Sequence, residues 1–255
     1  MTDWNPDKYQ RFSDLRLRPA LDLMAAVPSL PGGDVIDLGC GAGAAAASLK
    51  LRFPDHRMIG VDTSKAMLEQ ATALGLYARL DQADIALWRP HEPAALIYSN
   101  AALHWVPDHE RLLPELARTL SPGGVLAVQV PHQNPAPSHR MWIELASEMF
   151  SGRVDVDNGP GVLLPERYFD LLSPLGQISI WQTEYLQRLA PVAQGHPVRH
   201  FTESTFARPV LGALNAAEQA RLIAAYDEAM TSAYPLRDDG SALFPFRRLF
   251  FTLQV

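Results

Sequence analysis

The chain has 255 residues, a formal net charge of −6 and a sequence isoelectric point near 5.7. This acidic balance, with no basic block, argues against a nucleic-acid partner, and the single cysteine, Cys40, excludes an internal disulfide and a cysteine-based metal cluster. No apolar run approaches the roughly 18 residues that span a membrane, and the polar first residues lack the features of a secretory signal. We therefore expect a cytoplasmic protein with no membrane partner, and its oligomeric state stays open.

Strand-like and helix-like segments alternate through the first half of the chain. After a helical stretch at 15–27, apolar runs typical of buried strands occur at 35–38, 58–61, 77–80, 94–99 and 125–130. Helical stretches lie between them at 44–53, 65–74 and 108–120, and 120–124 is predicted to be a turn. This alternation predicts an α/β fold with a mostly parallel sheet that helices cover on both faces.

The alternation ends after residue 131. Helices are predicted at 140–150 and 166–172, strands at 178–186 and 246–253, and a helical insertion at 187–235. The strongest helix of the insertion starts at Asn215, with Glu218 three residues later as in a capping box. We expect a single domain, 1–255, that carries this insertion.

The segment 35–43, Val-Ile-Asp-Leu-Gly-Cys-Gly-Ala-Gly, is the most informative motif. A short buried strand ends beside Asp37, and Gly39, Gly41 and Gly43 then allow a sharp turn and a close approach of the backbone to a ligand. The helix that follows directs free N–H groups toward the loop. A buried acid at this place needs a positive or hydrogen-donating partner. The motif therefore favours a ligand with an ammonium group, such as S-adenosylmethionine (SAM).

A dinucleotide is the competing ligand. Gly39-x-Gly41-x-x-Ala44 fits the relaxed dinucleotide fingerprint, and Asp62 follows at the spacing of a ribose-binding acid, which suits both ligands. Asp37 discriminates between them, because a buried carboxylate repels a pyrophosphate and attracts an ammonium. An NAD-dependent oxidoreductase is therefore the less favoured alternative.

Polar residues also follow the next two strands. Asp84 and Ile85 come after the third strand, where a carboxylate can accept a hydrogen bond from an adenine amine, and Asn100 ends the fourth strand, beside the expected methionyl group. Open α/β sheets bind their ligands along this edge. Met67 is a candidate adenine contact or, more simply, a core residue.

Further motifs, spread along nearly the whole chain, resemble those of a known protein family. They are Asp3-Trp4-Asn5-Pro6-x-x-Tyr9-x-x-Phe12, Arg18-Pro19, the segments 99–109 and 245–250, Gln129-Val130-Pro131 and Arg208-Pro209. With 35–130, these motifs resemble the trans-aconitate 2-methyltransferase family within the class I SAM-dependent methyltransferases. The resemblance implies a Rossmann-like sheet with an antiparallel last strand, a helical lid at 187–235 and an N-terminal helical flap at 1–30. It places Tyr9 and Arg18 near the methionyl end of SAM and Trp105 near the methyl group.

The implied reaction is O-methylation of a carboxylate of a small polycarboxylate, trans-aconitate, to a monomethyl ester. Such a carboxylate is already ionised at pH 7, so we expect no catalytic base and a mechanism of alignment and water exclusion. Arginine clamps carboxylates well, and Arg208, followed by Arg247, is the leading candidate. His104, His132 and Trp105 complete the predicted substrate site.

Other functions stay open. One is a carboxyl methyltransferase for a carrier-bound malonyl group, another is a different small-molecule methyltransferase, and a third is a SAM-binding regulator without catalysis. Arg199 and Arg248 are expected mostly at the surface. No metal site is expected, because His196 and His200 flank Pro197 and have no clear acid ligand nearby.

Overall fold

The computed structural model describes residues 13–153 and 161–255. The helices are α1 (Ser13–Ala25), α2 (Ala46–Arg52), α3 (Lys65–Ala73), α4 (His109–Ala117), α5 (Pro137–Met149), α6 (Pro165–Leu172), α7 (Pro197–Glu203), α8 (Arg208–Gly212) and α9 (Ala216–Ala233). The strands are β1 (Asp34–Leu38), β2 (Met58–Asp62), β3 (Arg79–Gln82), β4 (Ala94–Asn100), β5 (Leu120–Pro131), β6 (Gln177–Leu189) and β7 (Ala242–Gln254). Two 3-10 turns occupy Leu103–Trp105 and Ser173–Leu175.

Within the described residues the strands form one sheet in the order β3-β2-β1-β4-β5-β7-β6. Strand β1 pairs in parallel with β2 and β4, and β4 pairs in parallel with β5, whereas β7 runs antiparallel to β5. The predicted α/β sheet with an antiparallel last strand is thus confirmed. The strand order reverses direction between β1 and β4, and open α/β sheets bind ligands at such a switch point.

The central strands are apolar because helices cover both of their faces. In β4 the residues from Ala94 to Ser99 are buried, and the leucines of α4 pack against this layer. On the other side α1 is tied to the sheet, since the Tyr98 hydroxyl donates to the Ala20 carbonyl at 2.7 Å. This packing holds the carboxyl ends of β1 and β4 in fixed positions.

Some predicted boundaries change for local reasons. Helix α2 begins only at Ala46, because the N–H groups of Gly43 and Ala46 close turns onto Cys40 and Gly43. Strand β3 begins two residues later than predicted, at Arg79. The predicted turn at 120–124 is wrong, since these residues belong to β5. They form a bulge there, where the β4–β5 register jumps.

The chain divides into two compact units. Among the described residues, the first unit holds 13–131, 161–183 and 248–255, and the second holds 132–153 and 184–247. In the second, Trp142 of α5 stacks on Tyr226 of α9 with ring centroids 3.8 Å apart, and its indole N–H donates to Thr202 Oγ1 at 2.9 Å. This unit is wider than the predicted insertion, 187–235, because α5 packs on α9. The capping box of Asn215 and Glu218 is confirmed.

Candidate active site

The loop after β1 turns through three glycines with positive φ: +79° at Gly39, +54° at Gly41 and +82° at Gly43. A Cβ on Gly39 would lie 2.2 Å from the Cβ of Ala102, and one on Gly43 would lie 2.5 Å from Cδ1 of Leu74. A Cβ on Gly41 would meet no described atom within 4 Å. Packing therefore requires glycine at Gly39, and the positive φ favours glycine at Gly43, whereas Gly41 is the place where a ligand can approach bare backbone.

Asp37 is the buried acid of the site. It is 4% exposed at the end of β1, and the Tyr77 hydroxyl donates to its Oδ2 at 2.7 Å. Burial raises the pKa of Asp37 to about 6, although the hydrogen bond from Tyr77 lowers it, and the charge of Asp62 raises it further. No described residue forms a salt bridge with Asp37. The ammonium group of a ligand would therefore supply the missing cation.

Asp62 ties the end of β2 to the glycine loop. Its Oδ2 accepts a hydrogen bond from the backbone N–H of Gly41 at 2.9 Å, and its Oδ1 accepts one from Ser64 at 2.9 Å. These bonds fix the plane of the carboxylate and leave further lone pairs on both oxygens. Asp62 can therefore accept hydrogen bonds from the hydroxyls of a ribose as well.

The residues predicted around an adenine differ in exposure. Asp84 is exposed, and its Oδ1 accepts a hydrogen bond from the N–H of Ala86 at 2.9 Å. Ile85 is 8% exposed, and its Cδ1 lies 3.3 Å from where a Cβ on Gly39 would stand. Met67 is 5% exposed on α3, in agreement with a core residue. Asp84 and Ile85 thus offer an acceptor and an apolar surface beside the loop.

The end of β4 is strained and incompletely hydrogen-bonded. Asn100 Oδ1 is buried and accepts no hydrogen bond from any described residue. Ala101 has φ +53°, a left-handed conformation that is unfavourable for alanine by about 1–2 kcal/mol. Asp37 and Tyr98 are register partners, and Asn100 is two residues beyond Tyr98, so Asp37 and Asn100 share one face of the sheet. Strain of this kind at a strand end is common in binding sites.

His104 and Trp105 follow in a 3-10 turn of the first unit. His104 is 7% exposed and Trp105 is 45% exposed, with ring centroids 4.6 Å apart. His104 is therefore buried against Trp105, whose indole is a large and partly exposed apolar surface.

Three predicted substrate residues lie in the second unit. The N–H of His132 donates to the Arg247 carbonyl at 3.0 Å, so these two residues are adjacent. Arg247 is exposed and forms an ion pair with Glu184 at 3.5 Å. Arg208 is exposed at the start of α8. The structure thus brings His132 and Arg247 together and places Arg208 on a separate element.

The predicted roles of the N-terminal residues are not tested by the structure. Tyr9 lies outside the described residues. Arg18 lies on α1 with its side chain 77% exposed and its Nε 4.0 Å from Asp22. The role of both residues at the methionyl end of the cofactor stays a prediction.

Several buried polar groups and their partners were not predicted from the sequence. Tyr77, predicted only as part of a strand, lies before β3, and its hydroxyl donates a hydrogen bond to Asp37. Arg248 and Arg199, expected at the surface, are 4% and 9% exposed, so that expectation was wrong. Arg199 is buried because Asp227 accepts from its Nε at 2.9 Å. The burial of Arg248 could have been inferred from Gln129, a lone polar residue within an apolar strand that needs a buried partner. Gln129 Oε1 accepts a hydrogen bond from Arg248 Nη1 at 3.3 Å.

Comparison with known proteins shows the family of this chain. A family model described as a methyltransferase domain matches residues 35–124. The trans-aconitate 2-methyltransferase of Variovorax paradoxus is 40% identical over 259 residues, covering 100% of this chain and 99% of that protein. The enzyme of the same name from Methylobacterium radiotolerans is 42% identical over 256 residues, covering 98% of this chain and 97% of that protein. The chain belongs to the trans-aconitate 2-methyltransferase family.

Solved structures agree with the fold of this family. The YcgJ protein of Bacillus subtilis matches with a TM-score of 0.59 at 19% identity, covering 93% of this chain and 98% of its own. Phosphoethanolamine N-methyltransferase 2 of Haemonchus contortus, solved with S-adenosyl-L-methionine, matches with a TM-score of 0.53 at 16% identity, covering 92% of this chain and 52% of its own. At these identities the likeness concerns the fold alone.

Neither a membrane-spanning helix nor a metal-ligating cluster occurs among the described residues. No helix among the described residues has the length and apolar character needed to cross a membrane. The part of the chain that the structure describes holds no group of three metal-ligating side chains. There, His196 accepts from the N–H of Val198 through Nδ1 and contacts the Tyr234 carbonyl through Nε2. Its ring nitrogens thus serve local hydrogen bonds.

Tyr77→Phe should make cofactor affinity more sensitive to pH in this family member. Loss of the 2.7 Å hydrogen bond removes a contribution that lowers the pKa of Asp37, so the carboxylate becomes protonated at a higher pH. Titration calorimetry with S-adenosylhomocysteine between about pH 5 and pH 9 should place the loss of affinity at higher pH than in the wild type. Tyr168→Phe, which removes a buried hydroxyl bonded to His109, is the matched control and should keep the wild-type profile.

Proposed function

We propose that this protein transfers the methyl group of SAM to a carboxylate of a small polycarboxylic acid, with trans-aconitate as the substrate. The full-length likeness to proteins named trans-aconitate 2-methyltransferase supports the substrate. The observation that carries the cofactor assignment is the buried Asp37 carboxylate, which shares a sheet face with the unsatisfied Asn100 carbonyl oxygen.

The residues at this edge fit the parts of SAM. Asp37 and Asn100 are both acceptors, and together they would hold the ammonium of the methionyl group. Asp62 would accept from the ribose hydroxyls, and Asp84 with Ile85 would receive the adenine. The open space beside Gly41 gives the cofactor room to pass close to the backbone. When bound, SAM supplies an electrophilic methyl group on a cationic sulfur.

The acid substrate needs no base to become a nucleophile. Its carboxylates are ionised at pH 7, so a carboxylate oxygen attacks the methyl carbon and the products are a methyl ester and S-adenosylhomocysteine. Positive and negative charge cancel as the bond forms, and a dry site favours that loss of charge. Holding the oxygen in line with the methyl carbon can contribute about 7–11 kcal/mol in favourable cases. Trp105, large and partly exposed, would shield this path from water.

Arg208→Ala should raise the KM for trans-aconitate about tenfold or more while leaving the affinity for S-adenosylhomocysteine unchanged, because a lost arginine–carboxylate pair weakens acid binding. Arg208 is exposed at the first residue of α8, and the thermal midpoint of the variant checks that the fold is retained. Steady-state kinetics with varied acid is the measurement, and Arg221→Ala, on α9, is the control. Unchanged kinetics in Arg208→Ala would remove this residue from the substrate site. His104, His132 and Arg247 are further proposed substrate contacts.

The proposed function is tested by methyl transfer from labelled SAM to a panel of di- and tricarboxylic acids. Label in a base-labile ester, strongest with trans-aconitate, is the expected result. Label that survives base treatment would indicate transfer to nitrogen or carbon and would contradict the proposal. Cofactor binding with no transfer to any acid would instead favour a SAM-binding regulator. The family assignment does not favour a carrier-bound malonyl substrate.

A further inference from the structure

A buried polar cluster lies in the first unit at the ends of β4 and β5 and beside the middle of β7. Asn100 and Gln129 are register partners, and Arg248 pairs with Pro131, two residues beyond Gln129. Because residues two apart on a strand share a face, the side chains of Asn100, Gln129 and Arg248 lie on the same face of the sheet. Gln129 is 0% and Arg248 is 4% exposed. We call these three residues the strand-end cluster.

The hydrogen bond from Arg248 orients the amide of Gln129. Arg248 Nη1 donates to Gln129 Oε1 at 3.3 Å, and the reversed amide would set donor against donor. Gln129 Nε2 is consequently a buried donor, and no described residue accepts from it. Buried polar groups are nearly always hydrogen-bonded in folded proteins, so this donor indicates a partner that the described chain does not supply.

The buried amide atoms of Asn100 and Gln129 require opposite partners. Asn100 Oδ1 is an acceptor and suits the ammonium of the cofactor. Gln129 Nε2 is a donor, and it stands beside a buried guanidinium, which is cationic at all relevant pH values. A donor next to a cation suits a carboxylate, because hydrogen bonds assisted by charge are strong where water is excluded.

We propose that Gln129 and Arg248 bind an unreactive carboxylate of the polycarboxylate substrate. The inference rests on the proposed function and extends it to the residues that hold the acid. The reacting carboxylate must keep a free lone pair, whereas a second carboxylate can be bound tightly without loss of rate. The carboxylate of the cofactor has the same chemistry, and the experiment below separates the two sources.

Gln129→Glu is the decisive variant. This substitution keeps the size of the side chain and places an anion beside Arg248. The fold should be retained, because the new carboxylate can form a buried ion pair with Arg248, whereas a ligand carboxylate should be repelled. Calorimetry of trans-aconitate binding to protein saturated with S-adenosylhomocysteine measures the effect without any transfer. Acid affinity should fall at least about tenfold, with the affinity for S-adenosylhomocysteine and the thermal midpoint maintained. Gln254→Glu adds the same charge at the carboxyl end of β7, where Gln254 Nε2 donates to the Gly123 carbonyl, and this variant should bind the acid normally.

Gln129→Met provides a second, uncharged test should the glutamate variant fail to fold. It removes the donor, and acid affinity should fall with the affinity for S-adenosylhomocysteine unchanged. Acid affinity equal to the wild type in a folded Gln129 variant would overturn the proposal. A fall in the affinity for S-adenosylhomocysteine instead would assign the carboxylate to the cofactor, and would overturn it as well. If the wild-type protein bound no polycarboxylate, the proposed function itself would be contradicted. That result is obtained from the wild type alone and is therefore distinct from a result with the variants.

Discussion

Gly39→Ala should abolish cofactor binding and lower the free energy of unfolding by about 3 kcal/mol or more. The φ of +79° is unfavourable for alanine by about 1–2 kcal/mol. The new Cβ would also lie 2.2 Å from the Cβ of Ala102, a contact that side-chain rotation cannot relieve. The loop after β4 must shift, and Asn100 shifts with it. Urea unfolding and calorimetry with S-adenosylhomocysteine measure the two effects.

Alanine substitutions at two further glycines, Gly75 and Gly41, distinguish the effect of backbone strain from that of steric overlap. Gly75 has φ +64° at the end of α3, and a Cβ there would meet no described atom within 4 Å, so Gly75→Ala reports the strain alone. Gly41→Ala has comparable strain and equal space, with φ +54°, but it adds a methyl group where the cofactor is proposed to pass. Gly41→Ala should therefore match Gly75→Ala in stability and lose cofactor affinity. Equal cofactor affinity in both would contradict the proposed path of the cofactor.

Asp37→Asn should stabilise the free protein and weaken its affinity for the cofactor about a hundredfold or more, since it removes the anion that meets the ammonium. The pKa of Asp37 is raised from 3.8 to about 6, so the folded state binds a proton more tightly than the unfolded chain does. At pH 7 the buried charge opposes folding by about 3 kcal/mol, and this penalty disappears as pH falls from about 6 to about 4. The asparagine removes the penalty, and its carbonyl can keep the hydrogen bond from Tyr77.

The measurement combines thermal unfolding with cofactor titration. The variant should unfold at a higher temperature than the wild type at pH 7, and S-adenosylhomocysteine should no longer stabilise it. Wild-type cofactor affinity should fall below about pH 6, as Asp37 becomes protonated, whereas the variant should show no such step. Asp55→Asn, at an exposed turn, is the matched control and should change neither property. A variant with wild-type cofactor affinity would show that Asp37 is only a structural acid.

The glycine loop and the strand ends could be predicted because their signals are local. Gly39, Gly41 and Gly43 stand where the backbone has positive φ, and this short run of the sequence is enough to predict the turn. The alternation of apolar runs with helices likewise predicted the parallel sheet. The SPGG segment was misjudged because glycine and proline are typical of turns, whereas here they form a bulge within β5.

The partners of the buried charges could not be predicted from the sequence. Tyr77 lies 40 residues from Asp37, and only the pairing of strands brings them together. Arg248 stands in an arginine pair near the end of the chain, and its alternation with Arg247 places one side chain inside and the other outside. Such contacts depend on the register between strands, which local composition does not determine.

The cofactor assignment depends on the anion at Asp37, which accepts a cationic amino-acid group and disfavours a pyrophosphate. Calorimetric titration of the wild-type protein with S-adenosylhomocysteine, and separately with NAD, tests it most directly. Saturable binding of S-adenosylhomocysteine, with no measurable heat from NAD, is the expected result. Tight NAD binding without a response to S-adenosylhomocysteine would contradict it.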